Sequence, residues 1–377
     1  MRKQDLSFRL NGALGVIFIT PLFLWVKQVT FSCIALSMSM ACETLFYWIR
    51  NGSLIEPKAR VAFLNASYHH DIGEVSCDEL VVQQHFKPFA DDMTQRGVSV
   101  LPKCPDDLAS YDVVLVLLPK STLETEYYIA CALRLLKKGG LLVCSADNKA
   151  GGSRLKKTLQ KFGLSDVDSE SRNKARVVWG RVEQPDISYI DQSYQKGLVQ
   201  PILDARFVSE PGVFGWNKVD KGSEILTTCL PKDLKGKGAD FGCGYGYLSD
   251  FILSHRPKVK RLHVLDADYR AVQVSRTNLS HYECPLEFIW CDLTKVQNDL
   301  RNLDFVIMNP PFHEGKKTDN AIGQAFIQSA YASLKRGGRL WMVANNHLPY
   351  EDVLEQQFFE VRKHYEGQGF KVYEALK

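Results

Sequence analysis

The chain lacks the cysteine patterns of a metal knuckle or a disulfide scaffold. Its 10 cysteines (33, 42, 77, 104, 131, 144, 229, 243, 284 and 291) include no C-x-x-C pair and no Cys/His cluster. No structural metal is therefore expected, and they read as small hydrophobes of a reducing compartment. A strong charge of either sign is also missing. Lys and Arg number 47 against 43 Asp and Glu, a net of +4. The chain as a whole is no polycation, although a local patch can still serve nucleic acid. Compositional bias is absent too: 45% hydrophobic and 24% charged residues exclude a disordered or fibrous chain. At 377 residues, two or three domains are expected, with cores that need no disulfide.

No uninterrupted apolar run reaches the roughly 20 residues of a membrane-spanning helix. Residues 10–26 are 17 positions without a charge, but Pro21 interrupts them; after Lys27, residues 28–42 are 15 more, diluted by Ser32, Ser37 and Ser39. Three readings of this segment stay open. It is a signal anchor, helped by Arg2, Lys3 and Arg9 and without a convincing cleavage site; it is a buried helix; or synthesis begins at Met38 or Met40. Residues 1–39 are therefore set apart from two expected domains, 40–190 and 191–377. Unless residues 10–42 are a genuine anchor, a cytoplasmic monomer without membrane contact is expected.

From residue 60 onward, short Val/Leu/Ile runs alternate with amphipathic stretches. Strands are expected at 61–64, 113–118, 141–145, 177–179, 238–241, 262–265, 287–290, 305–308 and 340–344. Ile322, Ala325, Phe326, Ser329, Ala330 and Ser333 fall at helical spacing. Alternating strands and helices imply an α/β fold with parallel sheets covered on both faces. The chain also resembles itself. Asp112 stands seven residues before Pro119, and Asp304 seven before Pro311; each unit continues into a helix expected to stop at a Gly-Gly pair, 139–140 and 337–338. The halves differ where chemistry would sit. Asp240-Phe-Gly-Cys-Gly-Tyr-Gly246 answers to Asn65-Ala-Ser-Tyr-His-His70, and Asn309-Pro-Pro-Phe312 to Leu117-Leu-Pro-Lys120. One half has kept a ligand site and the other only a fold.

Gly242, Gly244 and Gly246 follow the acid of an expected strand end, where glycine allows a sharp turn and close approach to a ligand. Asp266 ends the next strand and suits two ribose hydroxyls. Asp292 ends the one after, where a carboxylate accepts from an adenine amino group or merely caps a turn. Asn309-Pro310-Pro311 is a rigid corner that aims the Asn309 side-chain oxygen and the Pro310 carbonyl at one spot. Two acceptors suit an exocyclic NH2, and Phe312 offers a face for stacking a base.

These motifs resemble the class I S-adenosylmethionine-dependent methyltransferases that modify exocyclic amines. Narrowly, the chain is similar to the ribosomal RNA small subunit methyltransferase C family, which methylates guanine N2 in 16S rRNA. Glu210-Pro-Gly-Val-Phe214, residues 343–350 and residues 369–373 support the likeness, which covers roughly residues 40–377. It implies two tandem Rossmann-like methyltransferase domains, the N-terminal one degenerate. It implies S-adenosyl-L-methionine as cofactor, held by Asp240, Gly242, Gly244, Gly246, Asp266, Asp292 and Asn309. Asn309, Pro310 and Phe312 are the expected catalytic residues. Phe214, Phe312 and His313 are expected to hold the base. Tyr245, Tyr247 and Trp216 depart from the small or polar residues usual at their positions.

An RNA partner, 16S rRNA or the 30S subunit, needs a surface beyond the pocket. Between residues 149 and 181, nine basic residues face three acidic ones, a local +6 that includes Lys156 and Lys157. A solvated helix face reads the same way. A 23S rRNA enzyme, a protein-glutamine methyltransferase and a DNA adenine methyltransferase also use Asn-Pro-Pro with an aromatic residue. The basic stretch and the second domain favour RNA.

Overall fold

A computed structural model describes residues 39–52, 54–297, 299–311 and 317–377. The segment 1–38, and with it the choice among anchor, core helix and later start, lies outside the described residues, as do Phe312 and His313. Ala41 and Cys42, at the end of the second apolar run, are part of α1 (Met40–Gly52), where Leu45, Phe46 and Trp48 are buried against the first sheet. Among the described residues no helix is long and apolar enough to cross a membrane.

The first sheet contains β1 (Arg60–Leu64), β2 (Glu79–Gln83), β3 (Val100–Leu101), β4 (Tyr111–Leu117), β5 (Leu136–Asp147), β6 (Asp168–Arg172) and β7 (Ala175–Arg181). Helices α2 (Lys87–Gln95), α3 (Thr122–Leu135), α4 (Leu155–Lys161) and α5 (Ile187–Gly197) accompany it. A hairpin of β8 (Gln200–Ile202) and β9 (Phe207–Ser209) follows. The second sheet contains β10 (Gly236–Phe241), β11 (Val259–Asp266), β12 (Leu286–Trp290), β13 (Leu303–Met308), β14 (Leu334–Asn345), β15 (Glu360–Gly367) and β16 (Phe370–Leu376). Its helices are α6 (Lys221–Cys229), α7 (Tyr247–His255), α8 (Tyr269–Asn278), α9 (Lys317–Ser333) and α10 (Glu351–Gln357).

The two sheets share one strand order, β3-β2-β1-β4-β5-β7-β6 and β12-β11-β10-β13-β14-β16-β15. The first five strands of each run parallel, as expected. The last two depart from that expectation: β7 is antiparallel to β5 and β6, and β16 to β14 and β15. The outermost strands β6 (DSESR), mostly exposed, and β15 (EVRKHYEG), half exposed, are polar, so they carry no apolar run to betray them. Central strands are covered on both faces. In β4, Val114 and Val116 enter one core while Val113, Leu115 and Leu117 enter the other. In β13, Val306 and Met308 face one side and Phe305 and Ile307 the opposite. A strand buried on both faces reads as a continuous apolar run because neither face meets water.

The duplication extends to single hydrogen bonds. Asp112 Oδ2 accepts from Arg60 N and Asp304 Oδ2 from Lys237 N, while Lys137 pairs with Asp112 and Lys335 with Asp304. Asn65 holds φ +50° just past β1, where Gly242 holds +83° just past β10. The degenerate half therefore keeps the left-handed turn with an asparagine, one of the few side chains that tolerate it. The Gly-Gly pairs correct one expectation. Helices α3 and α9 end at Leu135 and Ser333, several residues earlier. Gly139 and Gly337 are left-handed, with φ +73° and +76°, but they lie inside β5 and β14, near where the pairing with β4 and β13 shifts register. There Gly139 N donates to Val182 O and Gly337 N to Lys377 O.

Candidate active site

The order β12-β11-β10-β13 places Asp292, Asp266, Asp240 and Asn309 side by side along the carboxyl edge of the second sheet, where open parallel sheets bind ligands. Asp240, one residue before the end of β10, is fully buried. Its Oδ2 accepts from Ser249 Oγ on α7 at 2.7 Å, and its Oδ1 has no partner. Burial, with the nearby Asp266 charge adding to it, pushes its carboxyl up to about 7. Asp266 ends β11, and its oxygens accept from Gly244 N and Asp268 N, both at 2.9 Å. Burial, reinforced by Asp268, raises it to about 6 against these bonds. Among the described residues neither carboxylate meets a cationic side chain. Asp292 is engaged locally: Oδ1 accepts from the Thr294 backbone and hydroxyl, and Oδ2 lies 3.1 Å from Lys295 Nζ. That is the turn-cap arrangement.

The glycine loop winds between these groups. Gly242, Gly244 and Gly246 have φ of +83°, +54° and +97°, values that cost other L residues strain. Gly242 N and Cys243 N both donate to Leu265 O, which stitches the loop to β11. A Cβ on Gly242 would stand 4.0 Å from Asn309 O, and one on Gly244 3.7 Å from Phe214 O. The fold thus gathers positions 214, 242–246 and 309, which are far apart in sequence. Phe214 is 57% exposed on a turn anchored by buried Val213, so its ring is available to a ligand.

Asn309 follows β13. Its Nδ2 donates to Asp220 Oδ2 at 2.7 Å and to Ser223 Oγ at 2.9 Å. Asp220 accepts only, so the amide has one orientation, with nitrogen toward Asp220. Its Oδ1 is buried and has no partner. An unpaired buried acceptor is costly in an isolated protein, and a ligand N–H satisfies it. Pro310 is buried beside it and Pro311 exposed. Asp220 also caps α6 by accepting from Ser223 N. Sequence reasoning missed both residues. The Asp-x-x-Ser start of a helix was readable as a cap, but nothing local showed that it grips Asn309.

The bulky loop residues point away from this cradle. Tyr245 is buried, 5.2 Å ring to ring from Phe207, and Trp216 packs on the same cluster, so both anchor the hairpin. Lys156 and Lys157 lie on α4 of the first half, exposed and on no strand of the cradle. A second missed group ties the halves together. Arg270 on α8 meets Glu124 on α3 at 3.0 Å, Asp268 at 2.7 Å and Glu210 at 3.7 Å. Burial pushes the Glu210 carboxyl up to about 7 despite Arg270. The backbone of His85 and Lys87 pairs with that of Ala267 and Tyr269, and Trp290 Nε1 donates to the carbonyls of His85 and Ala267. The first half thus braces the segment that follows Asp266.

Residues 64–193 match the family model of the methyltransferase small domain N-terminal region, and residues 204–374 that of the methyltransferase small domain. A ribosomal RNA small subunit methyltransferase C from Escherichia coli O157:H7 is 31% identical over 295 residues, 78% of this chain and 83% of the relative. One from Alteromonas mediterranea is 27% identical over 353 residues, 86% of this chain and 96% of the relative. Among solved structures, a 16S rRNA N2 methyltransferase from T. thermophilus, in complex with AdoMet and guanosine, shares the fold. It has a TM-score of 0.70 and 23% identity over 86% of this chain and 89% of that one. With both halves matched in order, and with a relative above 30% identity spanning most of its length, the chain belongs to the ribosomal RNA small subunit methyltransferase C family.

Proposed function

We propose that this protein transfers a methyl group from S-adenosyl-L-methionine to the exocyclic N2 of a guanine in 16S rRNA, acting in the cytoplasm as a monomer on the 30S subunit. The observation that carries the reading is the buried, unpartnered Asn309 Oδ1 beside the glycine cradle. The cradle fits the cofactor. Asp240 and Asp266 are carboxylates without a cationic side chain, and the three glycines between them hold positive φ values that other L residues adopt only with strain. Asp240, Asp266 and the three glycines would hold it; Asp292 would join them by releasing Lys295. When bound, the cofactor supplies a methyl carbon activated by a sulfonium.

This chain's residues do the positioning. Asn309 Oδ1 and the Pro310 carbonyl would accept the two N–H groups of the amine. That pairing favours a more tetrahedral nitrogen and turns its lone pair toward the methyl. Positioning of this kind contributes several kcal/mol. An amine held this way would take the methyl as the donor's carbon–sulfur bond breaks to leave a neutral thioether, and would release its extra proton to water, so no strong base is needed from the chain. The guanine must leave its stack or arrive unpaired, and Phe214, with Phe312 and His313, would hold it. Residues 40–190 serve RNA binding, with Lys156 and Lys157 on their surface, and residues 191–377 catalyse. The test is methyl transfer from labelled cofactor to 16S rRNA, naked and as 30S particles, with the product mapped. Label on guanine N2 of 16S rRNA is expected; label on 23S rRNA or on a glutamine side chain overturns the assignment.

A further inference from the structure

The first half carries a cleft of about 170 Å³ at the carboxyl ends of β4 and β5, lined in part by Leu118 and Ala146. By the duplication this is the position of the target corner in the second half. Leu118 answers to Pro310 and Ala146 to Ala344, counted from the shared Asp and Gly-Gly marks. The chemistry of the two corners is opposite. The second half offers acceptors, Asn309 Oδ1 and the Pro310 carbonyl, to an amine. The first half replaces them with donors: Lys120, Arg154 and Lys157 line the cleft, and no carboxylate does. Among the described residues these three cations form no ion pair, whereas Lys161, at the edge, is held by Glu126 at 3.1 Å.

The backbone is shaped for this arrangement. Gly151, at φ +103°, turns the chain sharply after β5, and a Cβ on Gly152 would run into the Ala146 carbonyl. This glycine pair lets the loop fold back over the strand end, and Arg154 just beyond it joins Lys120 in the cleft lining. Five of the nine basic residues of the 149–181 stretch are thereby sorted. Arg154, Lys157 and Lys161 enter the cleft; Arg172 lies 3.8 Å over the Tyr47 ring, and Arg181 donates to Gly139 O. A cleft lined by one sign of charge concentrates field and draws the opposite ion, and Lys and Arg groups in a pocket of this size suit a phosphate.

We propose that this vestigial cleft binds a backbone phosphodiester of the RNA substrate and so sets the register in which the target base reaches the second half. The inference rests on the RNA substrate proposed above. Its test is binding of a 16S rRNA transcript to full-length protein without cofactor, by filter retention between about 50 and 200 mM KCl, the range over which phosphate contacts are lost. The variant is Lys120→Gln/Arg154→Gln/Lys157→Gln. The comparison variant, Lys58→Gln/Lys138→Gln/Lys196→Gln, removes equal charge from exposed sites outside the cleft and outside the 149–181 stretch. Expected for the cleft variant is an affinity loss of about tenfold or more and a log K against log salt slope shallower by roughly 1–2, about 0.7–0.9 per phosphate lost. Unchanged melting temperature and cofactor affinity show that the variant folds. Equal losses in both variants, or no loss in the first, overturn the site. Weaker binding of guanosine monophosphate by the cleft variant, with RNA affinity intact, would instead assign the cleft to a free nucleotide and also overturn it. Wild-type protein that binds the transcript but methylates no guanine fails the function reading alone.

Discussion

Asn309 has one side-chain atom left to offer, because its nitrogen is already spent on Asp220 and Ser223. Asn309→Ala should lower turnover by about 100-fold or more, the scale seen when one preorganised hydrogen-bonding group is removed from a reacting centre. Cofactor affinity by calorimetry should stay near wild type; unchanged turnover removes the assignment. Asp220 is a positioning residue. Asp220→Ala should cost about 1 kcal/mol of stability as a lost helix cap and let the Asn309 amide turn. Asp220→Asn keeps both a cap and an acceptor, so it should restore stability and most of the turnover. Equal activity in the two variants shows that the grip on Asn309 does not matter. The acids beside the glycines predict a pH dependence. Burial holds Asp240 up to about 7 and Asp266 up to about 6, so both are largely protonated in the free protein at pH near 5. A bound cation favours the ionised forms and expels protons. Affinity for S-adenosyl-L-methionine should therefore rise with pH and level off above about 7.5, by up to about tenfold per pH unit for each proton released. S-adenosylhomocysteine, which lacks the sulfonium charge, should show a weaker rise. Calorimetry in two buffers of different ionisation heat reads the proton release directly; proton uptake on binding contradicts the account.

At the scale of the element, β13 and the Val264-Leu265 end of β11 were readable because strand segments buried on both faces are nearly continuous in apolar residues. The glycines after β10 were readable for a local reason too, since only glycine adopts three positive φ values within five residues at little cost. Polar edge strands and the hairpin of β8 and β9 gave no such signal. Their pairing is held by neighbours: the Asn278 side chain bonds both the N–H and the carbonyl of Val208. Trp290, at the end of β12, shows what an element end does for a site, since its indole N–H serves the carbonyls of both His85 and Ala267. Trp290→Phe leaves two buried acceptors less satisfied. It should lower stability by about 1–3 kcal/mol in urea unfolding and weaken cofactor binding through the segment after Asp266. Loss of stability with cofactor affinity intact would confine Trp290 to a structural role.

For the molecule as a whole, the degenerate half acts as a brace. Its Glu124 reaches Arg270, and its backbone at His85 and Lys87 bonds the chain just past Asp266. The Arg270 cluster is only partly hydrated, with side-chain exposures of 14–18% for Glu124, Asp268, Glu210 and Arg270. Arg270→Met strands three carboxyl groups and should destabilise the chain by about 3–5 kcal/mol. Adding Glu124→Gln should recover part of the loss, because one uncompensated charge disappears; a double-mutant cycle that shows strict additivity argues against the contact.

The alternation of strands and helices, the duplication, the glycine loop and the Asn-Pro-Pro corner were all legible in the chain as written. Each depends on apolar periodicity or on backbone restrictions of Gly and Pro, which act within a few residues. The packing of the folded chain decided the rest. It turned the Asn309 amide through Asp220, 89 positions away, brought Phe214 over Gly244 and gathered Lys120 with Arg154 and Lys157. Those outcomes depend on contacts between segments distant in sequence, and no local rule encodes which partners a crossover connection will bring together.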